Sequence, residues 1–201
     1  MSDPDPVLAA TPAHLPARLT ITLWDFSWYT QAGPGEPFAD LDEAMSAAVN
    51  RGYNTVRICA MPYLLFGDHD LEPQRLIIAE MAPGIGQGTR WYNVRGNVPI
   101  DGRARLRELF EAARRHGVYV IVSSWEYQQS PAFSDDDRWY RSLASIAPQE
   151  RFLALARSLA RLVDFLREAD GLDRQIAARI ADFRRAGEGR WTLDFEVRAR
   201  P

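Results

Sequence analysis

Apolar residues along this chain follow two rhythms that take turns. Residues 19–28 (LTITLWDFSW), 55–63 (TVRICAMPY) and 118–128 (VYVIVSSWEYQ) open as short aliphatic runs rich in β-branched side chains, the pattern of strands buried on both faces. Between them the apolar positions recur at helical spacing. Leu41, Ala44, Met45, Ala48 and Val49 stand at i, i+3, i+4, i+7 and i+8, behind an Asp40/Glu43 capping pair and ahead of Gly52. Leu106, Leu109, Phe110 and Ala113 form a second stripe, opened by Asp101 and closed by Arg114, Arg115, His116 and Gly117, whose charges suit a helix C-terminus. A third begins at Pro148 and carries Phe152, Leu155, Leu159, Leu162, Val163 and Leu166 as far as Gly171. The order βαβαβα predicts an α/β fold on a parallel sheet.

Two regions depart from this rhythm. Residues 67–99 are long for a strand-to-helix connection, rich in Gly and Pro, and read as an elaborated loop. After Gly171 a fourth strand is due, yet the chain continues Arg-rich and helical in character, and only 190–198 (RWTLDFEVR) alternates as a strand should. The chain therefore divides into an N-terminal extension (1–18), three βα units (19–176) and a divergent C-terminal segment (177–201). A complete eight-stranded barrel takes about 250 residues, so three units make under half of one.

Large rings and ionisable groups gather just past the strand ends: Trp24, Asp25 and Trp28 after the first, Arg57 within the second, and Trp125, Glu126 and Tyr127 after the third. That is the side on which α/β proteins build their sites, and charged groups there are costly unless they line a cleft or find partners.

Composition narrows the chemistry. With 201 residues, 46% of them hydrophobic and 25% charged, the chain has enough apolar surface for a proper core. A net charge of −3 with both signs scattered gives no basic stripe, which argues against nucleic acid as a partner. All 24 basic residues are Arg, which excludes Schiff-base lysines and a P-loop. Cys59 is the single cysteine, so no intrachain disulfide or thiolate cluster forms and a reducing compartment is expected. The acidic, proline-rich start has no basic segment followed by an apolar one, and no run is long enough to span a bilayer. The expectation is a cytoplasmic protein with no membrane contact. His14, His69 and His116 lie far apart, Asp135, Asp136 and Asp137 read as a solvated loop or cap, GIGQG at 84–88 follows no strand, and Ser123 and Ser124 lack a nucleophile-elbow context. No metal or cofactor is expected.

The segments LTITLWDFSWY, GYNTVRICAMPYLL and VIVSSWEYQQSP resemble the first three strand ends of a cellulase-like glycoside hydrolase of the (β/α)8-barrel clan, over roughly 19–176. The resemblance implies a carbohydrate partner and O-glycosyl hydrolysis. It also implies that Arg57 supports the catalytic carboxylates, and that Trp24, Trp28, Trp125 and Tyr127 stack on sugar rings. In that family the acid/base Glu follows an Asn at the end of strand four, and the nucleophilic Glu ends strand seven. Here Asn50, Asn54, Asn93 and Asn97 are followed by Arg, Thr, Val and Val, so neither match is present. The chain accordingly reads as the N-terminal portion of such a barrel, inactive alone and prone to self-association through open sheet edges. Glycoside hydrolysis requires two carboxyl groups across the scissile bond. The candidate pair within this chain is Asp25 and Glu126, read as lying on adjacent strand ends, with Glu126 desolvated beside Trp125 as a general acid. The alternative is a non-catalytic carbohydrate-binding or structural α/β protein.

Overall fold

A computed structural model describes residues 16–78, 96–123, 134–168, 177–186 and 190–198. Three parallel strands, β1 (Ile21–Asp25), β2 (Thr55–Cys59) and β5 (Tyr119–Ser123), form one sheet in the order β1-β2-β5, with Leu23, Arg57 and Ile121 in register. Helices follow each strand. A single turn, α1 (Ser27–Thr30), and α2 (Leu41–Asn50) come after β1; α3 (Pro62–Phe66) and α4 (Gly102–His116) after β2; α5 (Arg138–Ser145) and α6 (Pro148–Glu168) after β5. This is the α/β arrangement that the apolar rhythm predicts, an incomplete set of parallel βα units.

The predicted caps are in place. The Asp40 carboxylate accepts from the amides of Asp42 and Glu43 at 2.8 and 3.1 Å, and Asp101 accepts from the Ala104 amide at 2.9 Å. Gly117 closes α4 with φ of 64°, a left-handed conformation that a side chain would oppose. Arg115 and His116 at the same helix end both reach Asp42 on α2, tying the two helices together.

Sequence and structure part company in three places. The loop 67–99 contains a 3-10 turn (Pro73–Arg75) and a two-stranded antiparallel sheet of β3 (Leu76–Ile78) and β4 (Val98–Ile100). These strands have three residues each, too few for a period to declare itself. The stretch read as helical after Gly171 instead contains β6 (Ala177–Ala186), which pairs antiparallel with β7 (Arg190–Arg198). Its Ala- and Arg-rich composition favours helix locally, and pairing with β7 overrides that weak preference. Nor does this hairpin extend the parallel sheet, because β6 and β7 make a sheet of their own.

One core unites the helices and one face of the parallel sheet. Val56 and Ile58 are fully buried, as are Leu41 and Met45 of α2 and Leu106 and Leu109 of α4. Strand residues alternate between faces. The opposite face is open along its two outer strands, with Leu23 60% exposed, Ile21 43%, and Tyr119 and Ile121 36% each, while Thr55 and Cys59 of the central strand are buried.

Candidate functional site

The open face carries a charged centre at the C-terminal end of the strands. The register between β1 and β2 slips between Leu23 and Asp25, so Asp25 pairs with Ile58 rather than continuing in step. Such an irregularity re-aims a side chain, and Asp25 also takes a left-handed backbone with φ of 43°. Met61, just past β2, does the same with φ of 44°. Strained backbone of this kind concentrates at functional sites because the surrounding fold must hold it in place.

The result is a compact polar group on two neighbouring strands. Asp25 Oδ1 accepts from Arg57 Nη2 at 2.5 Å, with the Asp25 side chain 17% exposed and that of Arg57 40% exposed. Cys59, two residues further along β2 and therefore on the same face, places its Sγ 3.8 Å from Asp25 Oδ1. Burial, reinforced by the neighbouring Asp25 charge, pushes the Cys59 thiol up to about 11, against the opposing pull of Arg57 and a hydrogen bond with Ser123. Cys59 is thus a neutral thiol near pH 7 and a poor nucleophile. A carboxylate accepts hydrogen bonds and a guanidinium donates them, so the pair combines both capacities that a hydroxyl-rich ligand calls on.

The sequence-derived site residues separate in space. Asp25 and Arg57 meet on the open face. Trp24 points the other way, 7% exposed, with its ring edge-on to Phe38 at 5.0 Å. Trp28 has no exposed surface, and its Nε1–H donates to the Cys59 carbonyl at 3.0 Å. Its indole braces the end of β2 from within the core, so the stacking surface expected of it is not offered. Trp125, Glu126 and Tyr127 lie outside the described residues. The strand leading to Glu126 is not next to β1, as the sequence reading had it, because β2 runs between them. Two strand spacings amount to about 9.6 Å.

Two features escaped the sequence reading. Cys59 belongs to the polar centre, which the period-two spacing of Thr55, Arg57 and Cys59 makes visible in hindsight. Arg105 on α4, 8% exposed, donates to the carbonyls of Trp28 and Phe38 and pairs with Glu108 at 2.8 Å. It fastens the loop after β1 to the helical layer, and only coordinates reveal which carbonyls it reaches. His69 and His116 are engaged separately, with the Tyr63 carbonyl and with Asp42. Among the described residues no three potential metal ligands converge, and no helix is long and apolar enough to cross a membrane.

The polar centre thus lies at the strand C-termini of a parallel α/β sheet, and comparisons with known proteins give the family. Residues 21–176 match the family model described as cellulase-like, sugar-binding cellulase-like, and the chain belongs to that family. Among solved structures it is similar to a protein from Parabacteroides distasonis ATCC 8503 assigned as a glycoside hydrolase, at 23% identity and a TM-score of 0.54. The match covers 78% of this chain and 35% of that one, so the likeness spans about a third of the neighbour's length. No curated protein matches.

Proposed function

We propose that this chain forms the first wall of a carbohydrate cleft in a cellulase-like glycoside hydrolase barrel, and that it does not hydrolyse glycosides by itself. The observation that carries this reading is the Asp25/Arg57 pair, held at 2.5 Å on the open face at the strand C-terminal ends. One carboxylate held by a guanidinium orients a sugar; it does not supply both the proton donor and the attacking oxygen that glycosidic cleavage needs. The absence of any Asn-Glu pair in the 201 residues supports the same conclusion. Arg57 and Asp25 bind sugar hydroxyls, Trp125 and Tyr127 stack on the ring, and Glu126 contributes at the edge of the site. Trp24 and Trp28 serve from behind the sheet, positioning rather than touching the ligand. In the isolated chain the β1 edge, which among the described residues pairs with β2 alone, and the exposed Leu23 favour association of copies, in the cytoplasm and without nucleic acid.

A panel of aryl glycosides and soluble oligosaccharides tests the proposal. Binding without turnover is expected, weakened at least about tenfold by Arg57→Ala, which removes a charge-assisted contact of the 1.5–3 kcal/mol class. Turnover by the purified chain would show that a second carboxyl group is in reach, and a Glu126→Gln variant would then identify it.

A further inference from the structure

The helices carry a second charged centre. Arg103 and Arg107 stand one turn apart on α4 and so share a face. Each lays its guanidinium on an aromatic ring: Arg103 Cζ is 4.8 Å from the centroid of Phe66, and Arg107 Cζ is 4.8 Å from that of Phe165. The two rings pack together with centroids 5.3 Å apart, which brings both cations to one place. Arg161 reaches the same place from α6, donating to the Phe66 carbonyl at 2.9 Å and to Asp68 at 2.7 Å, while Arg103 Nε donates to the Leu65 carbonyl at 2.8 Å. All three arginines are exposed. By contrast, the groove of about 370 Å³ between β1 and α2, whose lining includes Ala47 and Tyr53, carries opposite charges, Glu43 and Arg51, that favour no one class of ligand.

Capping explains only part of this arrangement. Arg103 and Arg161 satisfy carbonyls at the end of α3, yet Arg107 has no hydrogen bond or ion pair among the described residues. Charge placement also works against α4. The N-terminus of a helix is the positive end of its dipole and favours acids, as Asp42 and Glu43 illustrate in the first turn of α2. The first turn of α4 has no acid and holds Arg103 instead. Glu108 and Asp164, beside the cluster in sequence, are engaged by Arg105 and Arg167, and Glu111 lends its charge to Arg115 toward the other end of α4. Three guanidinium groups therefore face one carboxylate, Asp68, and two positive charges are left unmatched. Proteins break local rules in this way at functional sites. A doubly charged group with several acceptor oxygens restores the balance, and the guanidinium fork is shaped to grip phosphate. We infer that Arg103, Arg107 and Arg161 form a binding site for a phosphate group, free or carried on a small molecule as a monoester. The Phe66 and Phe165 rings hold two of the forks in place before the ligand arrives, so little rotamer freedom is lost on binding. Arg107 offers its free N–H groups, Arg103 its two terminal nitrogens, and Arg161 adds charge from α6. The inference stands apart from the carbohydrate reading, since these residues lie on α4 and α6 rather than on the open face of the sheet.

Calorimetric titration of the full chain with inorganic phosphate and with glucose 6-phosphate, at low salt and about pH 7.5, where a phosphate monoester is mostly a dianion, tests the site. Saturable binding of both is expected. Arg107→Gln should weaken it at least about tenfold, the loss of a charge-assisted contact, with little change in melting temperature because Arg107 makes only a ring contact. Arg114→Gln, in the last turn of the same helix, should weaken it less than about twofold, as expected for a screened, distant charge. Equal affinities make the phosphate group itself the ligand. Glucose 6-phosphate binding at least about tenfold tighter, with the advantage lost in Arg107→Gln, makes the ligand a phosphate ester. Absence of saturable binding overturns the inference, as does binding that survives Arg107→Gln or that falls equally in Arg114→Gln, which is the mark of general charge attraction. A tetra-aspartate peptide that binds at least about tenfold tighter than either phosphate, and is lost in Arg107→Gln, assigns the patch to an acidic protein partner and overturns it too.

Discussion

The two faces of the parallel sheet are made of similar aliphatic residues and lead opposite lives. Toward the helices, Val56 and Ile58 are fully buried and Trp24 is 7% exposed; on the other side, Leu23 is 60% and Ile121 36% exposed. The difference shows where the stability of this chain resides. One face, with α2 and α4 over it, holds the fold together, and the other meets solvent at β1 and β5. A sheet whose strands are apolar on both faces is the mark of an architecture covered on both, and here only one cover is among the described residues.

Substitutions on the buried side should be felt most. Trp28→Ala removes a fully buried indole and its bond to the Cys59 carbonyl, and is expected to cost about 3–5 kcal/mol in chemical denaturation. If it proved nearly neutral, the brace behind the sheet would be a misreading. Next comes alkaline pH. The unfolded chain releases the Cys59 proton near pH 9 while the folded chain keeps it to about 11. Between those values the unfolded state binds fewer protons, so stability falls as pH rises, by up to about 2–3 kcal/mol from this group. Cys59→Ala should flatten the decline between pH 9 and 11, and an unchanged slope would assign it elsewhere.

How much of this contrast was legible in the sequence differs by residue. The helix ends were, because Asp40, Asp101 and Gly117 act through local chemistry that a sequence displays directly. The identity of the open face was not. ITL in β1 and VRI in β2 are apolar on either side of Arg57, and alternation assigns residues to faces without saying which face meets a helix. The burial of Trp24 and Trp28 was not legible for a related reason. Proximity to a strand end suggested the site, but Trp24 belongs to the outer face and Trp28 turns inward with α1. The partnership of Asp25 with Arg57 lay within reach, since an Arg in a buried strand needs a carboxylate and Asp25 ends the neighbouring strand.

Smaller effects sharpen the comparison from the open side. A double-mutant cycle on Asp25 and Arg57 should return about 1–2 kcal/mol of coupling, as expected for a partly buried ion pair. A value near zero would make the pair incidental to the fold, though not to ligand binding. Leu23→Ala should change stability by no more than about 0.5 kcal/mol, since its side chain already meets water. A cost like that of a core leucine would mean that the face is covered in solution. Least of all, the link between α2 and α4 should weaken in acid: Arg115 and His116 hold Asp42 below the usual carboxylate range, so its contribution is present above the unfolded pKa and fades as pH falls through the folded one. Asp42→Asn should remove that acid dependence.

The division of labour between the faces is tested most directly by titrating soluble oligosaccharides into the labelled chain and following backbone amide shifts residue by residue. Perturbations are predicted at Asp25, Arg57, Cys59 and Ser123, with the groove residues Ala47 and Tyr53 unmoved. Shifts centred on the groove, or none anywhere at saturating sugar, would contradict a carbohydrate-facing inner wall.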